Sequence, residues 1–169
     1  MKRFALLAAL ALASLGTLSG CGLHPLYSGG GSGAVATTLT RVEVAPIEGK
    51  AGWLMTNALN DRLAASGSPL YRLEIKLDDQ IIGLGVRRDD SVSRERRTLR
   101  ARYQLVDLAN GTVLLDATAG SDAGIDVVNS EYATIAAENS ALERLSDIVA
   151  DEIVARVALY AQRTSAPAK

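Results

Sequence analysis

Tyr71-Arg72-Leu73-Glu74-Ile75-Lys76-Leu77 alternates apolar and charged residues over seven positions. A period of two places Tyr71, Leu73, Ile75 and Leu77 on one face of a strand and the three charges on the other. That is the pattern of an antiparallel sheet with one dry and one wet face. The run Ile81-Ile82-Gly83-Leu84-Gly85-Val86 is expected to extend the strand, its glycines marking a bend or bulge. Toward the C-terminus, Arg94 to Leu108 alternates again, with Leu99, Ala101, Tyr103 and Leu105 on one face. Asn110-Gly111 is a strong hairpin signal, because both residues tolerate positive φ. Thr112 to Ala119 then returns as a fourth strand bearing Val113, Leu115 and Ala117 on one face, and Gly120 to Asn129 reads as a polar connection. From Ser130 to Arg163 the period changes. Leu142, Leu145, Val149, Ile153, Val157 and Tyr160 recur at steps of three and four, which predicts a long helix; residues 164–169 are expected to fray.

Upstream of the opening stretch, Thr38 to Ala45 reads as a strand, with Thr40, Val42 and Val44 on one face, and Pro46 ends it. Ala51 to Ala65 predicts a helix whose stripe is Met55, Leu59 and Leu63, widened by Leu54 and Ala58. Gly67 is placed to terminate it and Pro69 to prevent its return. Trp53, on the first turn, is expected to pack against the core or its edge. The order strand, helix, strand, strand, strand, helix predicts an α+β two-layer sandwich over residues 37–163. It consists of a four-stranded, mostly antiparallel sheet with two helices packed on its apolar face.

The N-terminus carries a different message. Lys2 and Arg3 precede a run from Phe4 to Leu15 that is apolar except for Ser14. About a dozen residues cannot cross a bilayer, which takes about 20. The charged, apolar and small-residue order is that of a secretory signal. It closes on Leu18-Ser19-Gly20-Cys21, a bacterial lipobox pattern whose cysteine thiol is lipidated. Residues 1–20 are therefore expected to be cleaved, Cys21 to carry the membrane anchor, and residues 21–36, rich in glycine and serine, to form a flexible tether. Gly22 stands where an Asp would favour inner-membrane retention, so the expected place is the outer membrane, on its periplasmic side. Cys21 is the only cysteine, which excludes an internal disulfide and a cysteine-based metal site. Loss of Lys2 and Arg3 leaves 16 basic and 19 acidic residues, a balance of −3 that offers no general attraction to nucleic acid.

Nothing in the chain assembles a catalytic set. The one histidine, His24, lies in the tether without a fixed partner. There is no Gly-x-Ser-x-Gly elbow and no paired metal-ligand spacing, so no enzyme activity, cofactor or metal is expected. The notable asymmetry is basic. Residues 87–102 hold seven arginines against Asp89, Asp90 and Glu95, a local balance of +4. Alternation puts Arg94, Arg96, Arg100 and Arg102 on one strand face and Arg97 on the other. Guanidiniums about 7 Å apart suit phosphate or carboxylate groups. They equally suit a solvated, cross-strand-paired face that discourages edge-to-edge association. The residues alone leave these two readings open.

Cys21-Gly22-Leu23-His24-Pro25-Leu26-Tyr27 is similar to the Cys-Gly-Phe-x-Pro-Leu-Tyr opening of the LPS-assembly lipoprotein family (LptE-like), with Leu23 in place of the aromatic. The element order and the Glu131-Tyr132-Ala133 start of an Ala-rich last helix, ending near Leu159-Tyr160, extend the resemblance over about residues 21–162. It implies a non-enzymatic accessory or plug subunit of an outer-membrane β-barrel translocon, with an LptD-like barrel and lipopolysaccharide as partners. It also implies lipopolysaccharide contact through basic residues of the sheet, for which Arg94, Arg96, Arg100 and Arg102 are the candidates here. A second class shares the anchor and the small α+β domain: an auxiliary or activator module of another envelope system, such as a transport auxiliary lipoprotein or a cell-wall synthase activator.

Overall fold

The computed structural model describes residues 33–86 and 92–165. The signal, Cys21, the tether up to residue 32, Arg87 and Arg88, and residues 166–169 lie outside the described residues. Seven elements follow in order: α1 (Ala34–Leu39), β1 (Val42–Val44), α2 (Gly49–Leu63), β2 (Tyr71–Val86), β3 (Val92–Asp107), β4 (Val113–Asp126) and α3 (Glu131–Ser165). The four strands form one sheet in the order β1-β2-β3-β4. β2, β3 and β4 are an antiparallel meander, whereas β1 pairs parallel to β2 through Val42↔Tyr71 and Val44↔Leu73. A parallel pair needs a crossover, and α2 is that crossover. The expected α+β sandwich with a mostly antiparallel sheet is therefore observed, with one helix more than expected.

The dry face follows the alternation. Leu73, Leu99, Ala101, Tyr103 and Leu105 are buried against Leu142, Leu145, Val149, Ile153 and Val157 of α3 and against Met55, Leu59 and Leu63 of α2. Each leucine, isoleucine, valine or methionine among them contributes about 1.5–3 kcal/mol by leaving water, and Ala101 about 0.8 kcal/mol. Length explains why one helix serves the whole sheet. The 35 residues of α3 rise about 50 Å, and the 16 residues of β2 span about the same. α3 is also latched to α2, where Arg62 of α2 makes ion pairs with Asp147 and Asp151. These carboxylates tie the two helices together while staying more than half exposed.

Several expectations need correcting. The strand expected over Thr38–Ala45 is shortened to Val42–Val44, because Thr38 and Leu39 close α1 and Thr40 and Arg41 form a turn. The threonines mimic a β pattern in sequence. Instead, the hydroxyls of Thr37 and Thr38 donate back to the carbonyls of Gly33 and Ala34, while Val35 and Leu39, four apart, are buried. α1 also begins inside the segment read as tether. Second, α2 ends before Gly67: Ala64 adopts the left-handed conformation (φ 46°) and donates its N–H to the Asn60 carbonyl. Third, β4 does not stop at Ala119 but continues to Asp126, because the far half of β3 still offers a ladder, Leu99↔Ser121 through Arg94↔Asp126. Fourth, Trp53 does not pack; it is 63% exposed. The last helix runs to Ser165, into the segment expected to fray.

Candidate ligand-binding face

The meander register decides what surrounds the arginines. Even-numbered residues of β2, β3 and β4 point away from the helices. Arg94, Arg96, Arg100 and Arg102 therefore share the open face, as expected, and all four are exposed. Arg97 points the other way, again as expected. It is buried and gives two hydrogen bonds to Asp79 (2.6 and 2.8 Å) and one to the Glu138 carbonyl of α3 (2.8 Å).

Register also supplies neighbours that the basic run alone did not show. Arg94 pairs with Asp126 (3.1 Å), Arg96 approaches Asp122 (3.9 Å), and Arg102 pairs with Asp116 (3.1 Å). Asp122 and Asp126 lie in the stretch expected to be a connection; their alternation with Ser121, Ala123 and Ile125 was the signal for a continuing strand. Hydrogen bonds from Arg102, and next from Gln104, hold the Asp116 carboxyl below the usual carboxylate range. Among the described residues the open face carries six cations (Arg72, Lys76, Arg94, Arg96, Arg100, Arg102). It also carries six carboxylates (Glu43, Glu74, Asp78, Asp116, Asp122, Asp126), so its formal charge is zero. The local excess of +4 in sequence becomes a cross-strand charge ladder.

Two cations stand apart from that ladder. Arg100 and Lys76 make no ion pair among the described residues. Arg100 lies opposite Asp78, whose carboxylate accepts from Gln80, and opposite Gly120. Gly120 leaves room for the arginine stem: a Cβ there would sit 3.2 Å from the Arg100 Cγ and from the Leu99 carbonyl oxygen. Two adjoining open hollows cross the face here, of about 490 and 440 Å³, and Lys76 and Arg102 line both. Arg100 lines the second. Lys76, Arg100 and Arg102 thus flank these hollows together with Glu74, Asp78 and Glu152, so an anionic headgroup could be received only beside the three cations and away from the acids. No group of three or more His, Cys, Asp or Glu side chains suited to a metal occurs among the described residues. No helix among them is long and apolar enough to cross a membrane.

A twisted mixed sheet covered on one face by a long C-terminal helix is shared with solved bacterial lipoproteins. A Caulobacter crescentus lipoprotein is 26% identical, covers 80% of this chain and all of its own, and superposes with a TM-score of 0.67. Lipoprotein B from Nitrosomonas europaea (14% identity, 72% of this chain, 84% of that one, TM-score 0.57) shares the fold. So does a minor lipoprotein from Acinetobacter baumannii (11%, 70%, 88%, 0.54). No curated protein sequence matches the chain. The model of the lipopolysaccharide-assembly family, LptE, matches residues 39–157, from the end of α1 through most of α3. The chain belongs to that family, which is one of non-enzymatic lipopolysaccharide-assembly lipoproteins.

Proposed function

We propose that the protein is an outer-membrane lipoprotein, anchored through Cys21 on the periplasmic side, that serves as accessory or plug subunit of a β-barrel lipopolysaccharide translocon. The observation that carries this reading is the family match, which spans both the sheet with its hollows and the helix that stiffens it. Lipopolysaccharide presents phosphates and carboxylates on a carbohydrate, and the open face would meet them through the Arg94, Arg96, Arg100 and Arg102 row. Within that row the work divides by availability. Arg94, Arg96 and Arg102 would have to exchange an aspartate for the ligand, whereas Arg100 has no ionic partner among the described residues to give up. Lys76 beside the same hollow adds a second such cation. A zero net charge on this face favours a ligand held by local geometry over one attracted at long range.

The test uses the acylated protein affinity-purified from detergent-solubilised total cell membranes. Recovery of a large β-barrel protein is expected; recovery of a cell-wall synthase or an inner-membrane transporter instead overturns the reading. In parallel, Arg100→Ala with Arg102→Ala is expected to weaken lipopolysaccharide binding, with a salt dependence shallower than that of the native protein. Unchanged binding by the folded variant returns these arginines to a purely structural ladder.

A further inference from the structure

At the end of the domain away from β1, α3 meets the sheet through an uncommon contact. Glu95 of β3 points to the helix side, and its Oε2 is buried with no nitrogen or hydroxyl donor to it among the described residues. Glu138 of α3 is the acid beside it: its carbonyl accepts from Arg97, two residues along the same face of β3, and its carboxyl acts on that of Glu95. The other neighbours offer no relief. Opposite Glu95 lie Gly83 of β2 and Ile125 of β4, the latter fully covered. Arg97 is the nearby cation, and its three donor nitrogens are committed to Asp79 of β2 and to the Glu138 carbonyl. Among the described residues, two carboxyl groups therefore meet at a partly dry junction whose nearby cation, Arg97, acts on Glu138 only through space, its donors being spent elsewhere.

We propose that Glu95 and Glu138 form a proton-operated clasp that holds the first third of α3 against the far half of the sheet. With one proton between them, the pair is a hydrogen-bonded carboxyl and carboxylate, and residues 131–140 sit on the sheet. When that proton leaves, two like charges oppose each other across the junction and this part of the helix loosens. Beyond residue 140 the helix is held by the apolar core and by Arg62, so the opening is local. Tyr132 and Ile135, both exposed, belong to the stretch of α3 that the clasp holds, so its opening changes how that apolar surface is presented.

Burial first, and the charge of Glu138 second, push the Glu95 carboxyl above its ordinary 4.5. A raised value means that the folded state binds the proton more tightly. The clasp's contribution is complete below the ordinary carboxylate range and is lost as pH rises through the raised value. Hydrogen exchange of the full mature chain, measured from about pH 4 to about pH 8 and corrected for intrinsic rates, reads this directly. Protection of amides 131–140 is expected to fall at least about threefold with rising pH, while that of 145–160 stays constant. In Glu95→Gln, an isosteric change, the step disappears; in Glu138→Gln it disappears as well. Glu131→Gln, an exposed acid on the same helix, retains it. Flat protection in the native chain, or a step that survives in both glutamine variants, overturns the proposal.

Discussion

Arg97 is where the structure makes its sharpest energetic statement. Replacing it with alanine removes a guanidinium that spans both oxygens of Asp79 and reaches the Glu138 carbonyl, leaving a carboxylate and a backbone acceptor without their donors. Breaking a fully buried ion pair in this way costs about 3–5 kcal/mol. The two side chains here are 11% and 23% exposed, so water partly rescues Asp79, and the expected loss is about 2–3 kcal/mol. Arg97→Lys keeps the charge but cannot reach three acceptors at once, and should lose about 1–2 kcal/mol. Urea denaturation of the native chain and both variants, with unchanged m-values, gives the numbers. A double-mutant cycle with Asp79→Asn should return a coupling of about 1 kcal/mol or more. If Arg97→Ala costs less than about 0.5 kcal/mol, the reasoning fails, because the pair would then behave as an exposed one.

Two further substitutions probe packing. Gly52→Ala places a Cβ 2.4 Å from the Ile47 carbonyl oxygen, where α2 crosses the segment leading into it, and should destabilise by about 2–4 kcal/mol in the same assay. A loss within about 0.5 kcal/mol would show that the segment yields. Tyr103→Phe removes a hydroxyl that is buried with no hydrogen-bond partner among the described residues, and the variant is expected to be neutral or up to about 1 kcal/mol more stable. A clear loss of stability would mean that this hydroxyl is satisfied.

How much was legible in the sequence depended on whether a single face decided the pattern. β2 and β3 could be read nearly end to end because Leu73, Leu99, Ala101, Tyr103 and Leu105 must all be dry while their neighbours must be wet. The long helix was legible for the same reason, its stripe from Leu142 to Val157 being buried throughout. The far half of β4 was not, because Ser121 and Ala123 are small and Gly120 and Gly124 are weak strand formers; only pairing with β3 makes them a strand. α1 was hidden by threonines, which resemble a strand until their hydroxyls are seen to bond within the helix turn. The site was half legible. Alternation put four arginines on one face, but which of them is unpaired depends on cross-strand register, and register placed Asp116, Asp122 and Asp126 beside three of them. Lys76 and Gly120 had no signal of their own; they matter because the same register sets them beside Arg100.

Site-specific photo-crosslinking in living cells tests the central claim most directly. Gln80 is exposed on the open face beside the hollows, whereas Arg144 is exposed on α3, on the opposite layer. With a photoreactive phenylalanine analogue at position 80, ultraviolet light is predicted to yield a lipopolysaccharide adduct of the membrane-bound protein, and at position 144 none. Absence of the adduct at position 80 in cells where the protein is folded and anchored, or equal adducts from both positions, would contradict the account.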